Sequence, residues 1–169
     1  MIETKALCSD DWPLFRDLRL AALAESPNAF GSKLADWQGA GDQEHRWRAR
    51  LGIPGSLNLI AYRDGQAAGM ASGVPVEGGP ELIIELISLW VSPAGRGHGV
   101  ADRLLEEIER WAVKRGARTI CLAVRPSNSQ AIRLYERQGF GDIGCKGDHV
   151  PEEGTHEMLM AKAIAASSD

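Results

Sequence analysis

The sequence predicts an α/β (α+β) chain whose strands and helices follow the order β-α-α-β-β-β-α-β-α-β-β. Three observations carry that prediction. An almost unbroken apolar run, 82–91, stops before Pro93, passes through Gly95, Gly97 and Gly99, and opens into Val100, Leu104, Ile108 and Trp111 at helical spacing. Two strand-like runs, 57–62 and 66–74, flank Arg63-Asp64-Gly65, and Asp-Gly is a strong hairpin signal. A short apolar strand, 119–124, precedes another helix that closes at Gly139.

The remaining elements follow in order. Residues 2–7 read as a strand. Ser9 or Asp10 caps a helix with Pro13 in its first turn, running to about residue 24 with Leu14, Leu18 and Ala22 on one face. Residues 26–41 are irregular or partly helical, and a second helix starts at Asp42 and runs through Trp47 and Leu51. Gly78-Gly79-Pro80 breaks the chain before the long strand, and the helix after the glycines ends near Gly116. Ser127 or Ser129 caps the last helix, and strands near 140–145 and 155–163 complete the pattern.

A chain of 169 residues fits one domain, 1–169, able to bury about 70% of the surface that its unfolded form exposes. A net charge of −4 argues against a nucleic-acid binder, which carries a basic face. No apolar run has bilayer-crossing length, and residues 1–11 lack a signal-peptide pattern. The cysteines Cys8, Cys121 and Cys145 are odd in number and lack metal-ligand spacing, as do His45, His98, His149 and His156. The expectation is a cytoplasmic protein without metal or membrane.

The segment 93–101 is built to hold an anion. Its glycines let main-chain N–H groups approach a ligand, and the following helix adds unpaired donors and the positive end of its dipole. It contains no acidic residue, while Arg96 and His98 add positive charge. A Walker A loop requires G-x-x-x-x-G-K-[ST], which is absent; the dinucleotide pattern G-x-G-x-x-G fails at Val100.

What fits is Arg96-x-x-Gly99-x-Ala101, in which the chain resembles the GNAT superfamily of acyl-CoA-dependent N-acyltransferases. The run 82–91 looks like that family's fourth strand. Asn128, Ala131, Leu134, Tyr135, Gly139 and Phe140, after strand 119–124, look like its second signature, and 19–31 resembles the opening helices of one branch. The resemblance implies the GNAT fold, a mixed, largely antiparallel sheet of about seven strands with helices on both faces. It also implies acetyl-CoA as co-substrate. Main-chain amides of Arg96, Gly97, His98, Gly99, Val100 and Ala101 would hold the pyrophosphate. Main-chain groups of Leu89, Trp90 and Val91 would meet the pantetheine, with Asn128 beside it.

Transfer to an amine requires a base, because a lysine-like amine with a pKa of about 10.4 arrives protonated. Glu85 is the candidate: it is the only charged residue in an apolar strand, where burial raises a carboxylate's pKa. A structural carboxylate with an ionic partner is the competing reading. Tyr135 shares a helix face with Asn128 and Ala131, and the resemblance aims that face at the thioester, making Tyr135 the candidate acid. A space-filling core tyrosine competes. Arg125 and Arg133 are further phosphate candidates behind Arg96. Cys121 reads as a buried small hydrophobe, not a nucleophile. The acidic segment with Asp148, Glu152, Glu153 and Glu157 reads as a solvated loop that could attract a cationic amine; Trp12, Trp37 and Trp47 read as core or as acceptor-pocket walls.

The expected activity is transfer of an acetyl group from acetyl-CoA to a primary amine, on a small molecule or peptide, by direct attack. The rivals are a different acyl donor and a non-catalytic acyl-CoA-binding module. Segments 26–43 and 144–155 would choose the acceptor, and homodimers are common in the family.

Overall fold

Four strands, β1 (Ile2–Ala6), β2 (Leu57–Arg63), β3 (Gln66–Val76) and β4 (Ile83–Val91), pair antiparallel in chain order. The β2–β3 hairpin turns at Asp64 and Gly65, with φ of 51° and 83°. Two consecutive positive φ values are what a short hairpin of matching twist requires, and Asp-Gly tolerates them. The computed structural model describes residues 1–164. There β5 (Thr119–Val124) pairs parallel with β4, and β6 (Gly141–Val150) and β7 (Thr155–Ala163) extend one seven-stranded sheet in the order β1-β2-β3-β4-β5-β7-β6. The sheet is mixed and largely antiparallel, as expected.

Helices α3 (Val100–Lys114) and α4 (Ser129–Arg137) cover one face of the sheet, while α1 (Trp12–Glu25) and α2 (Glu44–Leu51) cover the other. The α3 stripe buries Val100, Leu104, Leu105, Ile108 and Ala112. Two β3 glycines permit the close approach. A Cβ at Gly69 would stand 3.0 Å from Val100 Cγ1, and one at Gly73 would stand 2.9 Å from the Trp111 ring. Truncating Leu104, which is fully buried, costs about 2–5 kcal/mol by the usual transfer-plus-cavity rule.

The β3–β4 register slips by one residue between Met70 and Ser72, a β-bulge on β4 in which Ser88 adopts a φ of 59°. An inserted residue exchanges the faces of everything beyond it. Ile84 and Leu86 therefore pack under α3, whereas Trp90, of the same parity, packs with α1 and α2.

Several local expectations are corrected. The buried stripe of α1 is Phe15, Arg19, Ala22 and Leu23; Leu14 and Leu18 are only partly covered. Ser9 and Asp10 belong to a short 3-10 turn, Ser9–Asp11, and Asp11 occupies the cap position of α1. Asp42 precedes α2, where it accepts from Arg16 and from the Trp47 ring nitrogen. Asn128, not a serine, caps α4 by accepting from the Ala131 amide at 3.3 Å. Finally, β6 continues to Val150, since pairing with β7 extends it past two register shifts.

Candidate active site

Strands β4 and β5 share three register positions, ending at Glu85–Cys121, and then part. Two cavities meet in the resulting gap, and Leu89, Ala123 and Tyr135 line both.

The larger cavity, about 640 Å³, runs along the end of β4 to the N-terminus of α3. Its lining brings together Leu89, Trp90, Val91, Arg96, Gly97, Gly99, Val100, Ala101 and Asn128; His98 is exposed outside it. Gly97 and Gly99 have φ of 79° and 83°, a left-handed backbone that only glycine adopts without strain, and Gly99 is the N-cap of α3. Asp102, in the first turn of α3, would oppose an anion, but Arg137 Nη2 donates to it at 3.0 and 3.1 Å and Gln138 at 2.6 Å. Arg137 lines the cavity, whereas Arg125 and Arg133 do not.

Arg96 is tied down. Its Nε donates to the Val91 carbonyl at 3.1 Å and its Nη2 to Glu25 at 2.7 Å, and the Trp90 ring nitrogen donates to the same Glu25 oxygen at 2.9 Å. Arg96 first, then Ser26 and Trp90, hold the Glu25 pKa down at about 2.

The smaller cavity, about 310 Å³, has a different character. Glu85 is half-buried in its wall, and burial, aided by the Asp148 charge, raises its pKa above the ordinary carboxylate value. Burial and Asp148 raise Glu157, also in the wall, in the same direction. Tyr135 is 8% exposed, and burial pushes its phenol above the ordinary tyrosine value, so it stays protonated at neutral pH. Cys121 is likewise raised, by burial and then by Glu85, so it remains a thiol. Trp37 and Trp47, with ring centres 4.5 Å apart, line this cavity; Trp12 does not. Of the segments expected to choose the acceptor, 26–43 supplies Ala29, Phe30, Gly31, Ser32 and Trp37, whereas 144–155 supplies no wall residue and acts on Glu85 through Asp148. Glu152 and Glu153 face outward, pairing with Lys33 at 3.9 Å and with Ser127.

The family model described as "Acetyltransferase (GNAT) family" matches residues 16–140. The chain belongs to the acetyltransferase (GNAT) family. A [ribosomal protein bS18]-alanine N-acetyltransferase of Escherichia coli is 34% identical over 82 residues, covering 48% of this chain and 55% of that protein. The chain spans at most 65% of the length of the first curated relatives that it matches. An acetyltransferase of GNAT family from Streptococcus pneumoniae superposes with a TM-score of 0.78 at 19% identity, covering 98% of this chain and 100% of that one. The PaiA N-acetyltransferase of Thermoplasma acidophilum, solved in complex with coenzyme A, gives 0.68 at 18% identity, covering 97% and 99%. These two likenesses establish a shared fold.

The GNAT chain also presents site residues that the motifs do not mark. Arg19 and Arg50 stand in the wall of the smaller cavity. A signal existed for Arg19: it is the charged residue on an apolar stripe, the same anomaly that singles out Glu85. Arg50, on a short polar helix, has no such mark. Among the described residues no group of three His, Cys, Asp or Glu side chains could hold a metal, and no helix is long and apolar enough to cross a membrane.

Proposed function

We propose that this protein is an N-acetyltransferase that moves the acetyl group of acetyl-CoA to a primary amine by direct attack of the amine on the thioester. The supporting observation is the shared gap: Glu85 and Tyr135 line one cavity that Tyr135 also joins to the glycine-lined cleft. The cleft suits a diphosphate, because it offers main-chain donors, glycines with room for a ligand, and a first-turn carboxylate already neutralised. Bound acetyl-CoA supplies the activated acetyl group.

The chain's own groups then divide the work. Main-chain groups of Leu89, Trp90 and Val91 orient the pantetheine arm, and an N–H there polarises the thioester carbonyl. Glu85 takes the amine's proton, directly or through water, as nitrogen bonds to the carbonyl carbon and the C–S bond breaks. A raised pKa makes Glu85 a better base than a surface glutamate. The Tyr135 phenol is a weaker acid than a thiol of pKa about 8.5, so its contribution is a hydrogen bond to the departing sulfur, with net protonation following from solvent. Asn128, its Oδ1 occupied by the α4 cap, keeps its NH₂ for the ligand.

Calorimetric titration with acetyl-CoA, with ATP and NADH as controls, followed by thiol release with an amine panel, tests this reading. Saturable acetyl-CoA binding and amine-dependent thiol release are expected. Binding without turnover would leave a sensing module, and silence toward acetyl-CoA would refute the cleft assignment.

A further inference from the structure

Two guanidinium groups stand in the wall of the cavity that holds Glu85, and among the described residues no acid pairs with either of them. Arg19, on α1, is 7% exposed, its Nη1 is buried without a hydrogen-bond partner, and its guanidinium lies 4.5 Å from the centre of the Phe30 ring. Arg50, on α2, donates to neutral oxygens: Asn58 Oδ1 at 2.9 Å, Ser72 Oγ at 3.1 Å and Ser88 Oγ at 3.2 Å. Burial lowers the pKa of each to about 10, and for Arg19 the charge of Arg50 adds to the effect. A buried cation without a counter-ion is among the costliest features a fold can carry, and two that repel one another are worse. Local rules broken in this way concentrate where a ligand completes them.

The cavity also takes its two signs of charge from different elements: Arg19 and Arg50 come from the helices α1 and α2, Glu85 and Glu157 from the strands β4 and β7. We propose that the acceptor is a small amino carboxylate, its carboxylate held by Arg19 and Arg50 and its amine presented to Glu85. The amine end rests on the acyl-transfer reading; the carboxylate end does not.

Three features favour this class. A guanidinium fork matches a planar carboxylate in bidentate fashion. A singly charged group is preferred to a phosphate dianion in a cavity that also holds Glu85 and Glu157. A volume of about 310 Å³ with the rings of Phe15, Phe30 and Trp37 in its wall accommodates a small body with an apolar spacer.

The test compares matched acceptors in the acetyl-CoA thiol-release assay: glycine against glycinamide, 4-aminobutanoate against 4-aminobutanamide, and phenylalanine against phenylalaninamide. At least one acid is expected to exceed its amide in kcat/KM by about 10- to 100-fold, the range of charge-assisted hydrogen bonds. Arg19→Met or Arg50→Met should collapse that ratio toward one. Arg19→Met should also raise the ligand-free unfolding midpoint, because it removes an unmatched buried charge. A merely structural Arg19 would do the reverse, lowering the midpoint and leaving the ratio intact. Binding is read separately by thermal shift without acetyl-CoA, using benzoate, phenylacetate and sodium sulfate. The carboxylates should raise the wild-type midpoint and fail to raise that of Arg19→Met. Carboxylate-dependent shifts without thiol release would remove acyl transfer and keep the anion site. Amides that match their acids in every pair, or sulfate acting where carboxylates do not, would overturn the proposal.

Discussion

The two cavities are built from different materials. The cleft at the N-terminus of α3 takes much of its lining from one strand-loop-helix segment, Leu89 to Asp102, facing the end of α1, β5 and α4, and that segment offers main chain: left-handed Gly97 and Gly99, the end of β4, the first turn of α3. The cavity beside it is lined by side chains from α1, the segment after it, α2, β4, β5, α4 and β7, most of them far apart in sequence. A site made of backbone constrains its sequence through spacing and glycine, whereas a site made of side chains is free to vary its chemistry.

The contrast breaks most sharply at Gly99. Gly99→Asp forces a left-handed φ on a residue with a Cβ and puts negative charge at the N-terminus of α3, so acetyl-CoA affinity by calorimetry should fall at least about 100-fold. Affinity near wild type would show that the cleft does not bind through this loop. On the other side of the gap, Glu85→Gln should lower kcat/KM by about 10²- to 10³-fold with acetyl-CoA affinity nearly unchanged. The sign of its pH effect follows from the raised pKa. A protonated Glu85 accepts nothing, so wild-type activity is lost as pH falls through a value above the ordinary carboxylate pKa, and the variant's acid limb flattens. An unchanged profile would remove Glu85 as base.

Tyr135 belongs to both cavities, and Tyr135→Phe, which removes one hydrogen-bond donor to the developing thiolate, should slow acyl transfer by about 10²-fold in single-turnover measurements while barely moving stability. Wild-type rates would leave it as packing. The smallest effect is expected at Glu25. Glu25→Gln removes the charge that holds Arg96 yet keeps an acceptor for the Trp90 ring nitrogen. Arg96 would then turn toward the phosphates, tightening acetyl-CoA binding by no more than about fivefold, as befits an exposed ion pair, and most at low salt. Weaker binding would instead make the Glu25–Arg96 pair a support for the loop.

The same contrast governs what could be read from the chain. Element order, the Asp64-Gly65 hairpin, the α3 stripe and the glycine loop are local patterns, and the fold carries them within a residue or two. Glu85 was visible because an apolar strand makes any charge conspicuous. The buried α1 stripe lies one position from the one that the sequence predicts, at Phe15 and Arg19 and not at Leu14 and Leu18, because a half-apolar helix offers two faces and only the sheet decides between them. Arg50, and the pairing of Arg96 with Glu25, depend on contacts between segments distant in sequence, which no periodicity reports. The bulge at Ser88 was equally hidden, since serine carries no preference for a left-handed backbone.

The three shared positions of β4 and β5 have a dynamic consequence. Four strands lie on one side of that short parallel seam and three on the other, so this is where the sheet has fewest backbone bonds holding neighbours together. Amides flanking the seam should exchange with solvent faster than those of the β2–β3 hairpin, through local opening well below the cost of global unfolding. A ligand lying in the gap would bridge the two halves and slow that exchange. Occupancy would then be legible as mechanical stiffness across the centre of the sheet, outside the glycine loop proposed to hold the phosphates.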